Sequence, residues 1–256
     1  MAYPGGAMKK EPLVSVVMPT YNSNEVIANA IMSIVGQTYE RWELIIVDDG
    51  SDESSKRFLK AFVNNLSEKR IKLVEIEHSG VVAARMEGYR KAKGEIIAVQ
   101  DADDLSMPDR LEVAVDAFKK DEDLGVFCHA LYVNMWLPIG CIYREYRKNH
   151  FGDKRSLLRE QTINGVPIFR KWVIEQCPLR DDETRDAYDW QMLLDWSFSG
   201  FKFKFEDRAL YEYVRHSNSL SERNEKEGRR HTALLKIKQN MKEDYQMIFK
   251  PKDFTI

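Results

Sequence analysis

The sequence predicts an α/β fold in which a mostly parallel central sheet is flanked by helices and followed by a C-terminal helical elaboration. In the first half of the chain, short apolar runs rich in β-branched residues alternate with segments of helical periodicity. This alternation is typical of a parallel sheet that is covered on both faces. The 256 residues, of which 43% are hydrophobic, contain no internal repeat and no clear linker. We therefore expect one fold rather than two independent domains.

The strands predicted for the first half are short and apolar. They occupy residues 13–18, 44–47, 71–76, 95–99 and 124–130. The first helix follows the polar loop 20–24, with Ser23 or Asn24 as its N-cap. The next helices are predicted over residues 52–66 and 80–92, with Gly94 as the C′ residue of the latter. Ser106 is predicted to cap a further helix that has Pro108 in its first turn.

The second half of the chain shows weaker periodicity. Apolar residues at helical spacing predict helices, and strict alternation predicts half-exposed strands. The predicted elements are a hairpin over 131–136 and 141–146, a helix over 188–198, strands over 201–205 and 210–214, and a charged helical segment from residue 222.

Composition and charge exclude several classes of protein. The net charge of −2 gives no global field for binding nucleic acid or a membrane. Cys128, Cys141 and Cys177 form no CxxC pair, which argues against structural zinc and fits reduced thiols in the cytoplasm. No apolar run approaches the ~20 residues that cross a bilayer, and residues 1–8 lack the apolar core of a signal peptide. We expect a cytoplasmic protein that binds no nucleic acid; its oligomeric state stays open.

The segment VQDADDLSMPDR places carboxylates directly behind a predicted buried strand. Asp101, Asp103 and Asp104 share one sheet edge with the loops 19–22 and 48–51. Negative charges this close repel one another, and the repulsion is reduced when the carboxylates face water or bind a cation. Oxygen ligands favour Mg²⁺ or Mn²⁺, which completes its shell with substrate phosphates. The chain lacks GxxxxGK[ST] and GxGxxG loops, so a metal would neutralise a bound diphosphate. A solvated acidic turn is the alternative.

Several motifs in register carry a resemblance to a known family. They are VVMPTYNS (16–23), IIVDDGSDES (45–54), HSGVVAARMEGYRKAKGEIIAVQDADD (78–104) and MPDRL (107–111). Together they resemble the family 2 glycosyltransferases, inverting enzymes of the GT-A fold that use nucleotide-sugar donors. The resemblance is strong over residues 13–111 and extends more weakly to about residue 221.

The resemblance implies a GT-A-type fold and a division of the chain. Residues 11–221 are expected to form the catalytic domain. Its nucleotide-binding half covers residues 11–130 and its acceptor half residues 131–221. Residues 1–10 are expected to be a flexible lead-in, and residues 222–256 a C-terminal helical extension.

The resemblance also implies the residues that hold the donor. Pro19, Thr20 and Tyr21 flank the base, and the Tyr21 ring offers a face for stacking. Asp49 accepts a hydrogen bond from the base, which favours the N3–H donor of uracil and hence a UDP-sugar. Arg85 balances negative charge near the donor or pairs with an aspartate. Alone, the tyrosine and the aspartate would be an ordinary loop-edge side chain and a turn residue.

The DxD motif of the family matches Asp101-Ala102-Asp103. The resemblance implies that Asp103 binds Mn²⁺ or Mg²⁺ and that Asp101 contacts the ribose or the donor sugar. Asp104 is the alternative metal ligand, since the sequence does not fix which carboxylate points inward. His216, in YVRHSNSLS, is implied to bind the metal or the diphosphate.

An inverting transferase needs a general base that takes the proton of the acceptor hydroxyl. In the family this base is an aspartate at the start of a helix, and RDAYDWQMLLDW (185–196) offers Asp189. Backbone N–H groups in a first helical turn favour the ionised carboxylate. The alternatives are Asp186, then Asp195, and an ordinary N-cap role for Asp189.

The acceptor is the part that the sequence describes least. Basic residues within 144–159 and 223–242 form solvated helix faces or meet an acidic glycan or an anionic membrane surface. The resemblance implies a glycan or lipid-linked acceptor, as in cell-envelope polysaccharide biosynthesis. Basic residues that meet a membrane carrying such an acceptor would give peripheral contact at its inner face. The alternative functions are a non-catalytic nucleotide-sugar-binding protein and a sugar nucleotidyltransferase.

Overall fold

A computed structural model of the chain describes residues 11–136, 142–149, 165–182, 184–215 and 228–244. The strands are β1 (Val14–Thr20), β2 (Trp42–Asp49), β3 (Ile71–Ile76), β4 (Ile96–Val99), β5 (Leu105–Ser106), β6 (Leu124–Trp136), β7 (Ile142–Arg147), β8 (Ile168–Arg170) and β9 (Lys202–Arg215). The helices are α1 (Ile27–Val35), α2 (Glu53–Leu66), α3 (Val81–Lys91), α4 (Arg110–Lys120), α5 (Lys171–Gln176), α6 (Tyr188–Phe198) and α7 (Arg229–Asp244), with a 3₁₀ turn at Arg185–Ala187.

These strands form a single sheet in the described part of the chain. Its order is β3-β2-β1-β4-β8-β6-β9-β5, with β7 paired to β6. The strands β3, β2, β1 and β4 are parallel, and every residue of β1, β2 and β4 is buried. Such strands are apolar throughout because helices cover both faces of a parallel sheet. The parallel α/β half predicted from the sequence is confirmed.

The junction between β4 and α4 differs from the prediction. Ser106 lies in β5, and α4 begins at Arg110 behind Asp109, which makes no side-chain cap bond. The Ser106 hydroxyl instead donates to Gln100 Oε1 at 2.6 Å. The predicted N-cap role of Ser106 is wrong, because its hydroxyl donates to the buried side-chain amide of Gln100 instead of capping α4.

Two other predicted helix ends are also wrong. α1 begins at Ile27 behind Val26, and the carbonyl of Ser23, rather than a side chain, accepts the N–H groups of both residues. α3 ends with Ala92 as its C-cap. Gly94 serves a close approach of the backbone: a Cβ atom there would lie 2.5 Å from the Leu13 carbonyl oxygen.

The second half completes the same sheet. The predicted hairpin is present as antiparallel β6 and β7, and the predicted helix over 188–198 is α6. The two strands expected in 201–214 are one strand, β9, which pairs parallel to β6 with irregularities in register. The three-residue strand β8 lies antiparallel between β4 and β6 and was too short to predict.

The described part of the C-terminal elaboration contains α7, which packs against the 3₁₀ turn that precedes α6. Ala233 and Ile237 of α7 are buried in the same apolar cluster as Ala187 and Trp190. The described part of the predicted extension is therefore attached to the start of α6. None of the helices in the described ranges is long and apolar enough to cross a membrane.

Candidate active site

The first two loops at the carboxyl edge of the sheet are tied together. The Asn22 N–H donates to Ser51 Oγ at 2.9 Å, and the Asp52 N–H donates to Asn22 Oδ1 at 2.9 Å. Asp48 Oδ1 accepts the Ser51 N–H at 3.2 Å. The predicted meeting of these loops on one edge is confirmed.

Tyr21 stands at this edge with one ring face covered by a histidine. Its ring stacks on His78, with centroids 4.3 Å apart and planes 23° apart. Tyr21 is 39% exposed, whereas Pro19 and Thr20 are buried at the end of β1. His78 could not be identified from the sequence, because a lone histidine carries no signal without its neighbour in space.

The Asp49 carboxylate is bonded to the loop that leads into α3. Oδ1 accepts the Ser79 N–H at 2.8 Å and Oδ2 accepts the Gly80 N–H at 2.9 Å. His78 Nδ1 also lies 2.9 Å from Oδ2. Because both oxygens already accept bonds, only the remaining lone pairs of Asp49 are available to a base.

Hydrogen bonds to β9 and to the Gln100 side chain hold the carboxylate loop, residues 100–104, in place. The Asp101 N–H donates to the Tyr211 hydroxyl at 3.0 Å, and the Val214 N–H donates to Asp104 Oδ1 at 2.8 Å. Gln100 Nε2 donates to the carbonyl oxygens of Asp101 and Asp104 at 3.0 and 2.9 Å. No sequence motif pointed to Gln100 or Tyr211, since their role depends on the fold.

Arg85 pairs with the first carboxylate of this loop. One Nη of the buried guanidinium bonds to Asp101 Oδ1. Its Nε and other Nη are buried without a hydrogen-bond partner among the described residues, and its Cζ lies 5.2 Å from the Tyr188 ring centroid. The prediction that Arg85 pairs with an aspartate is met in the structure.

Asp189 lies in the first turn of α6, close to the carboxylate loop. Burial raises the pKa of Asp101, and Arg85 opposes that rise. The carboxylates of Asp103 and Asp189 are near enough to raise it further. The fold thus brings residues 88 positions apart in the sequence to one place, as the general-base hypothesis requires.

The alternative bases are placed differently. Asp186 belongs to the 3₁₀ turn before α6. Asp195 is 8% exposed and accepts two bonds from Arg180, at 2.8 and 2.6 Å, and one from Gln191 at 3.0 Å. Both oxygens of Asp195 are thus engaged by Arg180 in an ion pair within the fold.

The loop carboxylates fit a divalent cation in their chemistry. Asp103 is partly exposed, whereas Asp104 is fully buried and its Oδ2 has no hydrogen-bond partner in the described chain. Burial raises the pKa of Asp104 well above its ordinary value, and Asp103 and Asp101 add to that rise. The Tyr211 hydroxyl and the Val214 N–H oppose that rise, and a bound cation would stabilise the buried carboxylate further. Across the ranges described, no group of three or more His, Cys, Asp or Glu is arranged as a metal site; His216 lies outside those ranges.

The basic stretch after residue 144 is paired with acids where the structure describes it. These pairs leave no free positive patch in residues 144–148, and residues 150–159 lie outside the described ranges. The pairs are Arg144 with Glu212, Arg147 with Glu145 and Lys148 with Asp207.

The model of the family "Glycosyl transferase family 2" matches residues 15–165 of the chain. The chain belongs to glycosyl transferase family 2. The matched span holds all the edge loops described above, while Asp189 lies beyond it.

Relatives of this family 2 glycosyltransferase support the assignment over more of its length. The chain is 32% identical over 218 residues, 82% of this chain and 75% of the relative, to WcaA of Escherichia coli (strain K12), assigned to colanic acid biosynthesis. It is 36% identical over 110 residues, 43% of this chain, to the Escherichia coli WfgD, a UDP-Glc:α-D-GlcNAc-diphosphoundecaprenol β-1,3-glucosyltransferase. The chain spans only 42% of the length of WfgD.

Solved structures show that the fold is GT-A. The Pyrobaculum calidifontis mannosyltransferase PcManGT, in complex with GDP-Man and Mn²⁺, matches with a TM-score of 0.68 at 18% identity, over 99% of this chain and 70% of that one. S. aureus TarS 1-349 in complex with UDP-GlcNAc matches with a TM-score of 0.64 at 17% identity, over 81% of this chain and 60% of that one. The predicted fold class and family are confirmed.

Proposed function

We propose that this glycosyltransferase moves a sugar from a UDP-sugar to a hydroxyl group of a glycan or lipid-linked acceptor, with inversion and with the help of Mn²⁺ or Mg²⁺. The observation that carries the proposal is the convergence of Asp189 with Arg85 and the carboxylate loop at one sheet edge. This convergence supports the proposal, because a carboxylate that could serve an acceptor lies beside groups that suit a nucleoside diphosphate.

The donor is proposed to lie along this edge. Tyr21 offers the partly exposed ring for the base. Arg85 supplies a buried positive charge with N–H groups that have no partner among the described residues. Asp101, which already bonds to Arg85, would accept a hydroxyl of the ribose or the donor sugar. The UDP-Glc in the name of WfgD and the UDP-GlcNAc bound to TarS support a uridine donor.

The metal is proposed to sit on the carboxylate loop. Asp103 is the ligand we expect, because Asp104 Oδ1 already accepts the Val214 N–H and the Asp104 side chain is fully buried. Asp104 Oδ2 remains the alternative, and His216 is a further candidate. A bound Mn²⁺ or Mg²⁺ would stabilise the negative charge that develops on the departing diphosphate.

Asp189 is proposed as the general base. Its carboxylate takes the proton of the acceptor hydroxyl while that oxygen attacks the anomeric carbon on the face opposite the diphosphate. Asp189 lies in the first turn of α6. Gly165 lies against the Asp189 side chain, so we expect the acceptor to approach from the side of Gly165 and α6.

The acceptor class is proposed from the relatives. WcaA is assigned to colanic acid biosynthesis, and the name of WfgD gives a diphosphoundecaprenol-linked sugar as acceptor. We propose a polysaccharide precursor of the cell envelope, met from the cytoplasmic side by peripheral contact with the membrane.

A panel of nucleotide sugars tests the proposal. The protein is incubated with UDP- and GDP-sugars and Mn²⁺, and release of the nucleoside diphosphate is followed with and without EDTA. We expect slow hydrolysis of one UDP-sugar that stops when EDTA removes the metal. Binding of UDP with no donor consumed against any acceptor would favour a non-catalytic protein, and release of pyrophosphate from UTP would favour a nucleotidyltransferase.

A further inference from the structure

Gln100 spans the carboxylate loop from the inside. Its side chain is fully buried. Nε2 donates to the carbonyl oxygens of Asp101 and Asp104, and Oε1 accepts the Ser106 hydroxyl at 2.6 Å. One amide thus fixes both ends of the segment that carries Asp103.

Arg110 holds Gln100 in this orientation. Its guanidinium is fully buried, and one Nη donates to Gln100 Oε1 at 3.3 Å and to Ser106 Oγ at 2.9 Å. Its Nε donates to His129 Nε2 at 3.0 Å, and its Cζ lies 4.6 Å from the Tyr211 ring centroid. Tyr211 is also the residue whose hydroxyl accepts the Asp101 N–H.

The same guanidinium reaches the acceptor side. Its second Nη donates to the carbonyl oxygens of Val99 and Val166, at 2.8 and 3.0 Å. Val166 follows Gly165, which lies against the Asp189 side chain. Arg110 therefore joins the strand before the carboxylate loop to the segment that contacts Asp189.

All the N–H groups of this guanidinium bond to neutral partners. A guanidinium has five N–H donors, and the contacts above use each of them. Burying a charge without a directly bonded carboxylate is costly, and an apolar side chain would fill the space at a lower cost. A reason to keep a buried guanidinium at this place is that it holds the groups bonded to it in fixed positions.

We propose that Gln100 and Arg110 are positioning residues, which set the carboxylate loop for the metal and align it with Asp189. This inference rests on the proposed function, because it assigns the pair a role in the same site. Residues that orient metal ligands typically change metal affinity by about 10- to 100-fold when they are removed.

The test compares Gln100→Leu and Arg110→Lys with Arg170→Lys. Arg170 is a matched control, since it is also buried and donates to backbone carbonyls, those of Leu124 and Phe118, at 2.9 and 3.0 Å. Arg170 pairs with Ile96 at the start of β4, whereas the carboxylate loop follows the end of that strand. Calorimetry measures the Mn²⁺ dependence of UDP binding, and kinetics measure kcat and KM for the donor.

We expect Gln100→Leu and Arg110→Lys to weaken Mn²⁺ binding in the presence of UDP by about 10-fold or more, and Arg170→Lys to leave it unchanged. Unaltered Mn²⁺ affinity and kcat in the two variants would overturn the inference. If either variant fails to fold, Ser106→Ala removes one hydroxyl from the same cluster and is expected to give a loss of a few-fold. A wild-type protein with no metal-dependent UDP binding would instead overturn the proposed function.

Discussion

Gly165 lies directly against the carboxyl group of Asp189. A Cβ atom at position 165 would come within 2.6 Å of Asp189 Oδ2 and 2.8 Å of its Cβ, which is closer than such atoms approach. The position of the Gly165 backbone therefore limits the position of the proposed base. A larger side chain at residue 165 would displace the Asp189 side chain.

Gly165→Ala is expected to lower kcat roughly 10- to 100-fold, because a displacement of about 1 Å in a reacting group has effects of this size. UDP affinity should stay at the wild-type value, since the donor loops are not touched. Gly36→Ala is the control, as its added Cβ would meet only the Met32 carbonyl oxygen at 3.4 Å. Steady-state kinetics and calorimetry check both variants; a wild-type kcat in Gly165→Ala would contradict the placement of Asp189.

Tyr21→Ala is expected to weaken UDP binding about 10-fold, since stacking of a base on an aromatic ring contributes ~1–3 kcal/mol. Tyr146→Ala makes the same change at another exposed tyrosine, on β7, and should leave binding unchanged. Titration of UDP with Mn²⁺ present measures both. Equal affinities in the two variants would remove Tyr21 from the base site.

Asp195→Asn is expected to lose stability and keep activity. The substitution breaks the bidentate pair with Arg180. Because the Arg180 side chain is partly exposed, we expect a loss of roughly 2 kcal/mol, less than the ~3–5 kcal/mol of a fully buried pair. Urea unfolding measures the loss, and donor turnover below the unfolding transition measures activity. A fall in kcat of the size expected for a general base would make Asp195 the better candidate.

His129 gives stability a pH dependence. Nε2 accepts the Arg110 N–H, so the proton of the neutral ring is on Nδ1, which donates to the Ala130 carbonyl at 3.0 Å. Burial, with Arg110 nearby, lowers the pKa of His129 to about 3. In the unfolded chain the pKa returns to about 6.5. The unfolded state therefore binds one more proton between these values, and stability falls as the pH drops through that window.

The measurement is urea unfolding of the wild type and His129→Gln between pH 7 and pH 4. The stability of the wild type relative to the variant should decline by up to about 1.4 kcal/mol per pH unit below pH 6. Parallel pH profiles for the two proteins would show that the pKa of His129 is the same in the folded and the unfolded chain.

The parallel half of the fold could be predicted because each of its strands is an apolar run that ends at a polar loop. Periodicity and strand ends also placed Asp101, Asp103 and Asp104 on the same edge as Tyr21 and Asp49. The predicted Ser106 cap was wrong because the Ser106 hydroxyl donates to the buried Gln100 side chain. The local sequence pattern gives no sign of this hydrogen bond.

The parts that could not be predicted depend on contacts between distant segments. His78 matters because the fold stacks it on Tyr21, and Tyr211 matters because β9 brings its hydroxyl to the Asp101 N–H, 110 residues away in the sequence. The contact between Gly165 and Asp189 likewise could not be predicted from the residues adjacent to either of them in the sequence. His216 remains a prediction, since it lies outside the described residues.

The central claim is that Asp189 takes the acceptor proton beside a metal-bound donor, and the measurement that tests it is turnover by Asp189→Asn. The control is Asp186→Asn, the same change in the turn just before α6. We expect Asp189→Asn to lose about 10²- to 10⁴-fold in kcat while its Mn²⁺-dependent affinity for UDP stays unchanged, and Asp186→Asn to remain active. An undiminished kcat in Asp189→Asn would show that another group takes the proton.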